Sequence, residues 1–289
     1  MTEKSSTVFI FMPHKSAVML KAFLVTIVIM FGFIGGSAAA EGRDALARAD
    51  RLYEEGTMES LKLSVKLYAQ AAEKAPDSYQ AFWKGARSSR KITRMAVIRE
   101  INNLEQICVT FGKQGMKMAL EAIKLNPEGV EGHFYYAVNV GGYAKGASIW
   151  AILSEGLKGK AQKHLKKAYQ IDKGYNQFVL VMHMGLYYEI LPWFAGQDKD
   201  KAIEFYREAL RLMPEDALYR PQLHVLAGKL MLAEGIDKIW AMRLLYETAE
   251  SGVEYFSDKA REILAEHGAA LPKTGGKNEV FKGSMSYPR

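Results

Sequence analysis

A pattern of four residues that recurs along the chain constrains its fold more than any other feature. The clearest copy is Ala202, Tyr206, Ala209 and Pro214, in KAIEFYREALRLMPED. Positions spaced four and then three residues apart share one face of a helix. Alanine on that face lets a neighbouring helix approach closely, and the aromatic ring fills the adjacent groove. The proline that follows ends the helix and directs the chain into the next one.

Three further copies of this pattern precede it. They are Ser64, Tyr68, Ala71 and Pro76; Gly115, Ala119, Ala122 and Pro127; and a weaker copy with Ala168, in which Asp172-Lys173 replaces the proline. Another helical stretch precedes each copy, and the last three of these stretches have a small residue near their middle, namely Gly85, Ala137 and Gly185. Such helix pairs are typical of the tetratricopeptide repeat, which recurs at about 34 residues.

The copies are spaced more widely than that repeat, with 51 residues from Pro76 to Pro127 and 41 from Lys173 to Pro214. We place the extra residues between the two helices of each unit. A fifth, degenerate pair ends near His267, and no segment shows the alternation typical of strands. The sequence therefore predicts an all-α fold over residues 41–267, an α-solenoid of tetratricopeptide-like helix pairs with long intra-repeat insertions.

Both ends of the chain differ from this pattern. Residues 22–34 carry no charge, follow Lys15 and Lys21, and precede the small-residue site Ala38-x-Ala40. This order predicts a secretory signal peptide over residues 1–40, cleaved after Ala40 and followed by a periplasmic mature protein. An uncleaved anchor is the alternative, because residues 35–40 could extend the apolar run. No cysteine lies near the cleavage site to carry a lipid anchor. Residues 268–289 are expected to form a disordered tail.

Composition and motifs favour binding over catalysis. The formal charge of +7 indicates a weak preference for acidic partners and does not require nucleic acid. Cys108 is the only cysteine, the histidines show no metal-ligand spacing, and no nucleophile lies beside a recognisable base. We therefore expect no catalytic residue, metal site or cofactor, and treat an enzyme with an unrecognised site as the least favoured hypothesis.

The register of the repeat suggests a concave binding groove. Residues three before and one after each small position are expected to face it, and all six are apolar: Phe82, Ala86, Phe134, Val138, Met182 and Leu186. An apolar lining suits an apolar small ligand or an inserted amphipathic helix. The alternative is that the superhelix closes on itself and these residues are core.

Aromatic and basic residues could form the rim of this groove. The candidates are Trp83, Arg87, Tyr136, Asn139, Tyr143, Tyr187, Tyr188 and Trp193. Arg87, Arg90, Lys91 and Arg94 form a basic run that could meet an acidic partner, and a second run extends from Lys158 to Lys167. The arginines are the more interesting of the two, because arginine suits interfaces.

The segment Gly185–Asp216, GLYYEILPWFAGQDKDKAIEFYREALRLMPED, resembles the T-component proteins of bacterial TRAP transporters, which carry an analogous glycine, aromatics, proline, Gly-Asp-rich loop and alanine helix. The resemblance covers residues 45–265 and is most specific over residues 134–216. It implies an exported solenoid that assists a periplasmic substrate-binding protein in solute uptake. The chain lacks the lipid-anchor cysteine that this family often carries. The alternative is a generic envelope scaffold for protein–protein interactions without a small ligand, and a homo-oligomer is left open.

Overall fold

The computed structural model describes residues 40–270 as a succession of helices, without a strand in that range. The predicted signal peptide, except Ala40, and residues 271–289 of the predicted tail lie outside it. In chain order the helices are α1 (residues 40–55), α2 (Met58–Lys74), α3 (Tyr79–Ile98), α4 (Leu104–Leu125), α5 (Val130–Tyr143), α6 (Ile149–Ser154), α7 (Leu157–Ile171), α8 (Tyr175–Ile190), α9 (Lys199–Leu212), α10 (Arg220–Ala233), α11 (Lys238–Ala249) and α12 (Glu254–Glu266). A short 3-10 helix, Trp193–Ala195, lies between α8 and α9.

The recurring motif determines where the second helix of each unit ends. In all four copies the residue before the proline position closes the helix by donating its backbone N–H to the carbonyl of the second alanine. These bonds are Ala75 to Ala71 (2.9 Å), Asn126 to Ala122 (2.9 Å), Asp172 to Ala168 (3.0 Å) and Met213 to Ala209 (2.8 Å). The next first helix then begins after a short turn, so the predicted repeat register is the observed one.

Small residues allow the two helices of a unit to pack closely. Tyr206, Ala202 and Ala209 on α9 are fully buried. A Cβ atom added at Gly185 of α8 would lie 2.6 Å from Cε1 of Tyr206, closer than van der Waals contact allows. Glycine in the first helix therefore accommodates the aromatic ring of the second.

The helices form two layers. The first helices, α3, α5 and α8, pack in succession against one another, and α10 packs against α12. Within residues 40–270 no two second helices (α2, α4, α7, α9, α11) show comparable packing. The first helices therefore form the inner layer of a superhelix, and we call the side they turn toward its axis the inner surface. The predicted α-solenoid is confirmed.

The insertions take different forms in different units. In the α3–α4 unit the connection is short, and the extra residues lengthen the helices themselves to 20 and 22 residues. Between α5 and α7 the insertion contains α6, and between α8 and α9 it contains the 3-10 helix. The expectation that all extra residues lie between helices therefore holds for two of the three units. Across residues 40–270, no helix combines the length and apolar character needed to span a bilayer.

Candidate binding surface

Four cationic side chains lie along one side of α3. Arg87, Arg90, Lys91 and Arg94 follow the helical spacing that places residues on a common face. All four are partly buried, although they carry full charges. The rings beside Arg87, Lys91 and Arg94 come from α1, from α3 itself, from the residue before α10 and from α12, so this face of α3 belongs to the inner surface.

At the N-terminal end of the row, the cations contact α1. The Arg87 guanidinium lies 3.8 Å from the centre of the Tyr53 ring and 5.1 Å from that of Trp83. Lys91 Nζ lies 4.2 Å from the same Tyr53 ring and donates to the Tyr53 carbonyl at 3.0 Å. Trp83 in turn stacks on Tyr135 of α5, with ring centres 6.1 Å apart. These cation–π contacts hold the positive charges over apolar surfaces.

At the C-terminal end of the row, Arg94 reaches units far along the chain. Its Nη2 donates to Gln222 Oε1 of α10 at 3.3 Å, across 128 residues of sequence. Its guanidinium also lies 5.2 Å from the Tyr219 ring and 5.9 Å from the Phe256 ring of α12. The superhelix is therefore wound tightly enough for α3 to contact the last units directly.

The middle of the row is desolvated. Burial, assisted by the positive charge of Arg94, lowers the pKa of Arg90 to about 10. Burial also lowers the pKa of His183 on α8 to about 4, and the charges of Arg90 and Arg94 act in the same direction. Phe134 packs edge-on against both His183 (5.3 Å) and Tyr175 (5.4 Å). Cations, a neutral histidine and aromatic rings thus surround one region.

No carboxylate within residues 40–270 forms an ion pair with any of these four cations. Glu54 is near enough to raise the pKa of Lys91, but burial dominates and lowers it. The Nε atom of Arg87 is buried without a hydrogen-bond partner. The inner surface is therefore electropositive and has unused donors, which is the chemistry of a site for an anionic ligand.

The structure places most of the predicted groove residues in the interior. Ala86, Phe134, Val138 and Met182 are buried in the core, and Phe82 and Leu186 are half-buried. Among the residues two before each small position, Trp83 and His183 are partly exposed and line the inner surface instead, whereas Tyr135 is buried and stacks on Trp83. Successive residues are about 100° apart around a helix. The positions predicted to face the groove are one residue away from the lining positions, so their side chains point toward neighbouring helices. Ligand binding at the six predicted positions stays a prediction.

The predicted rim residues fall into three groups. Trp83 and Arg87 are part of the inner surface described above. Tyr136, Asn139, Tyr143, Tyr187 and Tyr188 are buried. Asn139 Nδ2, for example, donates to the carbonyls of Ala86 (3.0 Å) and Tyr135 (2.7 Å), so it joins α3 to α5. Trp193 is 83% exposed and lies in the α8–α9 connection, away from the inner surface.

Several residues that line or underlie the inner surface were not predicted from the sequence. They are Tyr53, Tyr135, Tyr175, His183, Tyr219, Gln222 and Phe256. The signal for Tyr135 and His183 was their position two before the small residue, which they share with Trp83. Tyr219, Gln222 and Phe256 carry no such signal, because only the pitch of the superhelix brings them to α3.

This fold and its layered helix pairs define a helical-repeat protein of the tetratricopeptide type. A tetratricopeptide-repeat protein of Thermus thermophilus, TTC0263, is similar, with 18% identity and a TM-score of 0.55 over 78% of this chain and 99% of that chain. PilF of Pseudomonas aeruginosa has 14% identity and a TM-score of 0.48, covering 80% of this chain and 90% of that chain. These likenesses concern the fold alone.

The family assignment comes from the sequence. The model of the family "Regulator of microtubule dynamics protein 1-3" matches residues 45–190, which is half of the chain, and the chain belongs to this family. The match extends from within α1 to the end of α8 and therefore covers the whole basic row of α3. No curated protein matches the chain, and the resemblance to the T-component family of TRAP transporters is not confirmed.

Proposed function

We propose that this protein is an interaction module that binds an acidic segment of a partner protein along the basic, aromatic inner surface. The observation that carries the proposal is the row of Arg87, Arg90, Lys91 and Arg94, partly buried and without a carboxylate partner in residues 40–270. A buried charge is costly unless it is paired. An anionic ligand would offset that cost, and the arginine donors would then be used.

The dimensions of the row suit an extended polypeptide. Arg87 and Arg94 are two helical turns apart, a length of about 10 Å. In an extended peptide every second side chain recurs at about 7 Å. Two or three acidic side chains on one face of such a segment can therefore meet the cations, while the partly exposed Tyr53 and Trp83 offer rings against which its apolar atoms pack. Arginine is favoured at such sites because its planar group binds carboxylates with two donors.

The proposal is tested with the full-length protein and a panel of labelled acidic peptides, each paired with a copy in which glutamine replaces glutamate. We expect the acidic copies to bind more tightly and to lose affinity as salt rises. Arg90→Gln should weaken binding by about tenfold, the loss expected for one buried charge-assisted contact of about 1.5 kcal/mol. Lys117→Gln, at an exposed position on α4, is the matched control and should bind like the wild type.

Two results would count against this function. Equal binding of the acidic and glutamine peptides would show that the cations do not select the ligand. Unchanged affinity in a correctly folded Arg90→Gln protein would place the site elsewhere. Helical circular dichroism and the melting temperature of each variant establish that the fold is intact.

The resemblance of Gly185–Asp216 to T-components and the name of the matched family, regulator of microtubule dynamics, suggest different partners. The first supports a role beside the substrate-binding protein of a TRAP-type uptake system, in the periplasm, with export directed by residues 1–40. The second supports binding to microtubules. N-terminal sequencing of the natural protein, which would begin at Glu41 after cleavage, tests export. Neighbouring genes for TRAP subunits would favour the first partner, and co-sedimentation with polymerised tubulin would favour the second. A generic envelope scaffold is the alternative if neither is found.

A further inference from the structure

One edge of the solenoid carries large exposed apolar side chains. The connections from first to second helices all emerge at this edge, and two of them expose aromatic rings. Trp150 on α6 is 74% exposed, and Trp193 and Phe194 in the 3-10 helix are 83% and 56% exposed. We call these three residues the aromatic edge. It is separate from the inner surface, where the proposed acidic segment binds.

The two connections lie beside each other and are held in fixed conformations. The Tyr187 hydroxyl at the end of α8 donates to the Lys158 carbonyl at the start of α7, at 3.4 Å. The Gln197 side chain donates to the Glu189 carbonyl at 2.8 Å, and the Asp198 backbone N–H donates to the Tyr188 carbonyl at 3.1 Å. These bonds tie the residues after the 3-10 helix back to the end of α8, so the aromatic rings of this helix are presented outward by an ordered connection.

Lysines flank the aromatic edge. Lys145, Lys158 and Lys160 lie in or next to the α5–α7 connection, and none of them forms an ion pair with a carboxylate in the part of the chain that the structure describes. The acidic residue between them, Glu155, accepts a hydrogen bond from the Tyr143 hydroxyl at 3.1 Å. In the α8–α9 connection, Asp198 caps α9 by accepting from the Lys201 backbone N–H. These two carboxylates keep their charge, and Asp200 adds a third, but residues 144–160 and 191–201 hold five lysines against these three carboxylates. The excess charge at this edge is therefore positive.

We propose that the aromatic edge docks on an anionic lipid surface. Tryptophan favours the boundary between headgroups and acyl chains, where its ring is buried and its N–H meets polar groups. Lysines beside it would meet anionic headgroups. The combination argues against a protein partner here, because lysine is depleted in the cores of protein–protein interfaces whereas clustered lysines are typical of membrane surfaces. Exposed apolar rings also require a cover in solution.

Tryptophan fluorescence can test this with the full chain. Residues 1–40 contain no tryptophan, so an inserted N-terminal segment gives no signal of its own. The protein is mixed with phosphatidylcholine vesicles, with or without phosphatidylglycerol, whose acyl chains carry bromine as a quencher. We expect strong quenching on the phosphatidylglycerol vesicles. The double variant Trp150→Ser/Trp193→Ser should lose most of it, because Trp83 and Trp240 are only partly exposed.

Two further variants separate charge from general exposure. Lys145→Glu/Lys158→Glu should abolish the preference for phosphatidylglycerol by lowering binding about tenfold or more. Leu218→Ser, which removes a 73% exposed apolar side chain at the opposite edge, is the matched control and should leave quenching unchanged.

Absent quenching on both kinds of vesicle, or equal quenching in wild type and the double tryptophan variant, would overturn the proposal. The oligomeric state of the protein without lipid, measured by analytical ultracentrifugation, is a further test of the proposal. A dimer that dissociates on Trp193→Ser would show that a second copy of the chain covers this edge.

Discussion

At the scale of single residues, the buried histidines are held neutral by their neighbours. The Arg220 Nε donates to His224 Nε2 at 3.0 Å, so this nitrogen is an unprotonated acceptor. Burial, and next the charge of Arg220, lower the pKa of His224 to about 3. A carboxylate oxygen of Glu247 lies 3.7 Å from His224 Nδ1, too far for a hydrogen bond, and half of that side chain is exposed. At neutral pH the two therefore do not form an ion pair.

The stability of the protein should consequently fall in mild acid. An unfolded histidine takes up a proton near pH 6.5, whereas folded His224 does so only near pH 3, so the unfolded state binds more protons between these values. The contribution of His224 is complete above pH 6.5 and is lost as pH falls below it, at no more than about 1.4 kcal/mol per pH unit. His164 and His183, with pKa values lowered to about 4, act in the same direction.

Urea denaturation at pH 7, 6, 5 and 4.5 measures this dependence. His224→Gln keeps an acceptor for Arg220 but cannot be protonated, so its stability should depend less steeply on pH than that of the wild type. The exposed His267→Gln is the control. Identical slopes for His224→Gln and wild type would show that His224 does not stay neutral when the protein is folded.

At the scale of elements, glycines determine how closely α4 and α5 approach. A Cβ atom at Gly112 would lie 2.7 Å from backbone atoms of Tyr143, which cannot move aside without moving α5. Gly141, on α5, has no atom within 4 Å of the same added carbon in the described structure. Gly112 therefore lies in the contact between α4 and α5, whereas Gly141 lies outside it.

Gly112→Ala should therefore destabilise the protein by about 1–3 kcal/mol through overpacking. Gly141→Ala should be neutral or stabilise it by up to about 1 kcal/mol, because alanine favours the helix. Thermal and urea unfolding of both variants checks the difference. Equal losses of stability would mean that helix propensity, and not the α4–α5 contact, governs these positions.

Some features of the helices could be predicted from the sequence and others could not, and the difference has physical reasons. The ends of α2, α4, α7 and α9 follow from a local motif, because cap and proline act within one turn. Which residues line the inner surface depends on the rotation of each helix about its axis, which a local motif does not determine. The sequence therefore pointed to Phe82 and Met182, whereas the adjacent Trp83 and His183 line the surface. The entry to α8 could not be predicted, since Asn176, Gln177 and Phe178 have positive φ angles of 48°, 57° and 64° without a glycine.

At the scale of the whole molecule, Arg94 joins the second unit to the last ones. Replacing it by alanine removes the bond to Gln222 and the stacking on Tyr219 and Phe256. We expect Arg94→Ala to widen the superhelix, which small-angle X-ray scattering detects as a larger radius of gyration, and to lower stability by about 1–2 kcal/mol. Arg99→Ala, at an exposed position that ends α3, is the control. Superimposable scattering curves for wild type and Arg94→Ala would show that Arg94 does not hold α3 against α10 and α12.

The contact at Arg94 also bears on how the protein melts. An open array of repeats behaves as a one-dimensional chain in which each unit feels only its neighbours, so terminal units fray first. Here α10 and α12 contact Arg94 of α3. Unfolding of α12 therefore removes the Phe256 ring from the Arg94 guanidinium in the second unit. Opening of the last helices therefore also removes contacts of α3, which raises its free-energy cost. The repeats should consequently unfold in one cooperative transition. Hydrogen exchange should report similar protection for α3, α10 and α12, and in Arg94→Ala the protection of α12 should decay first.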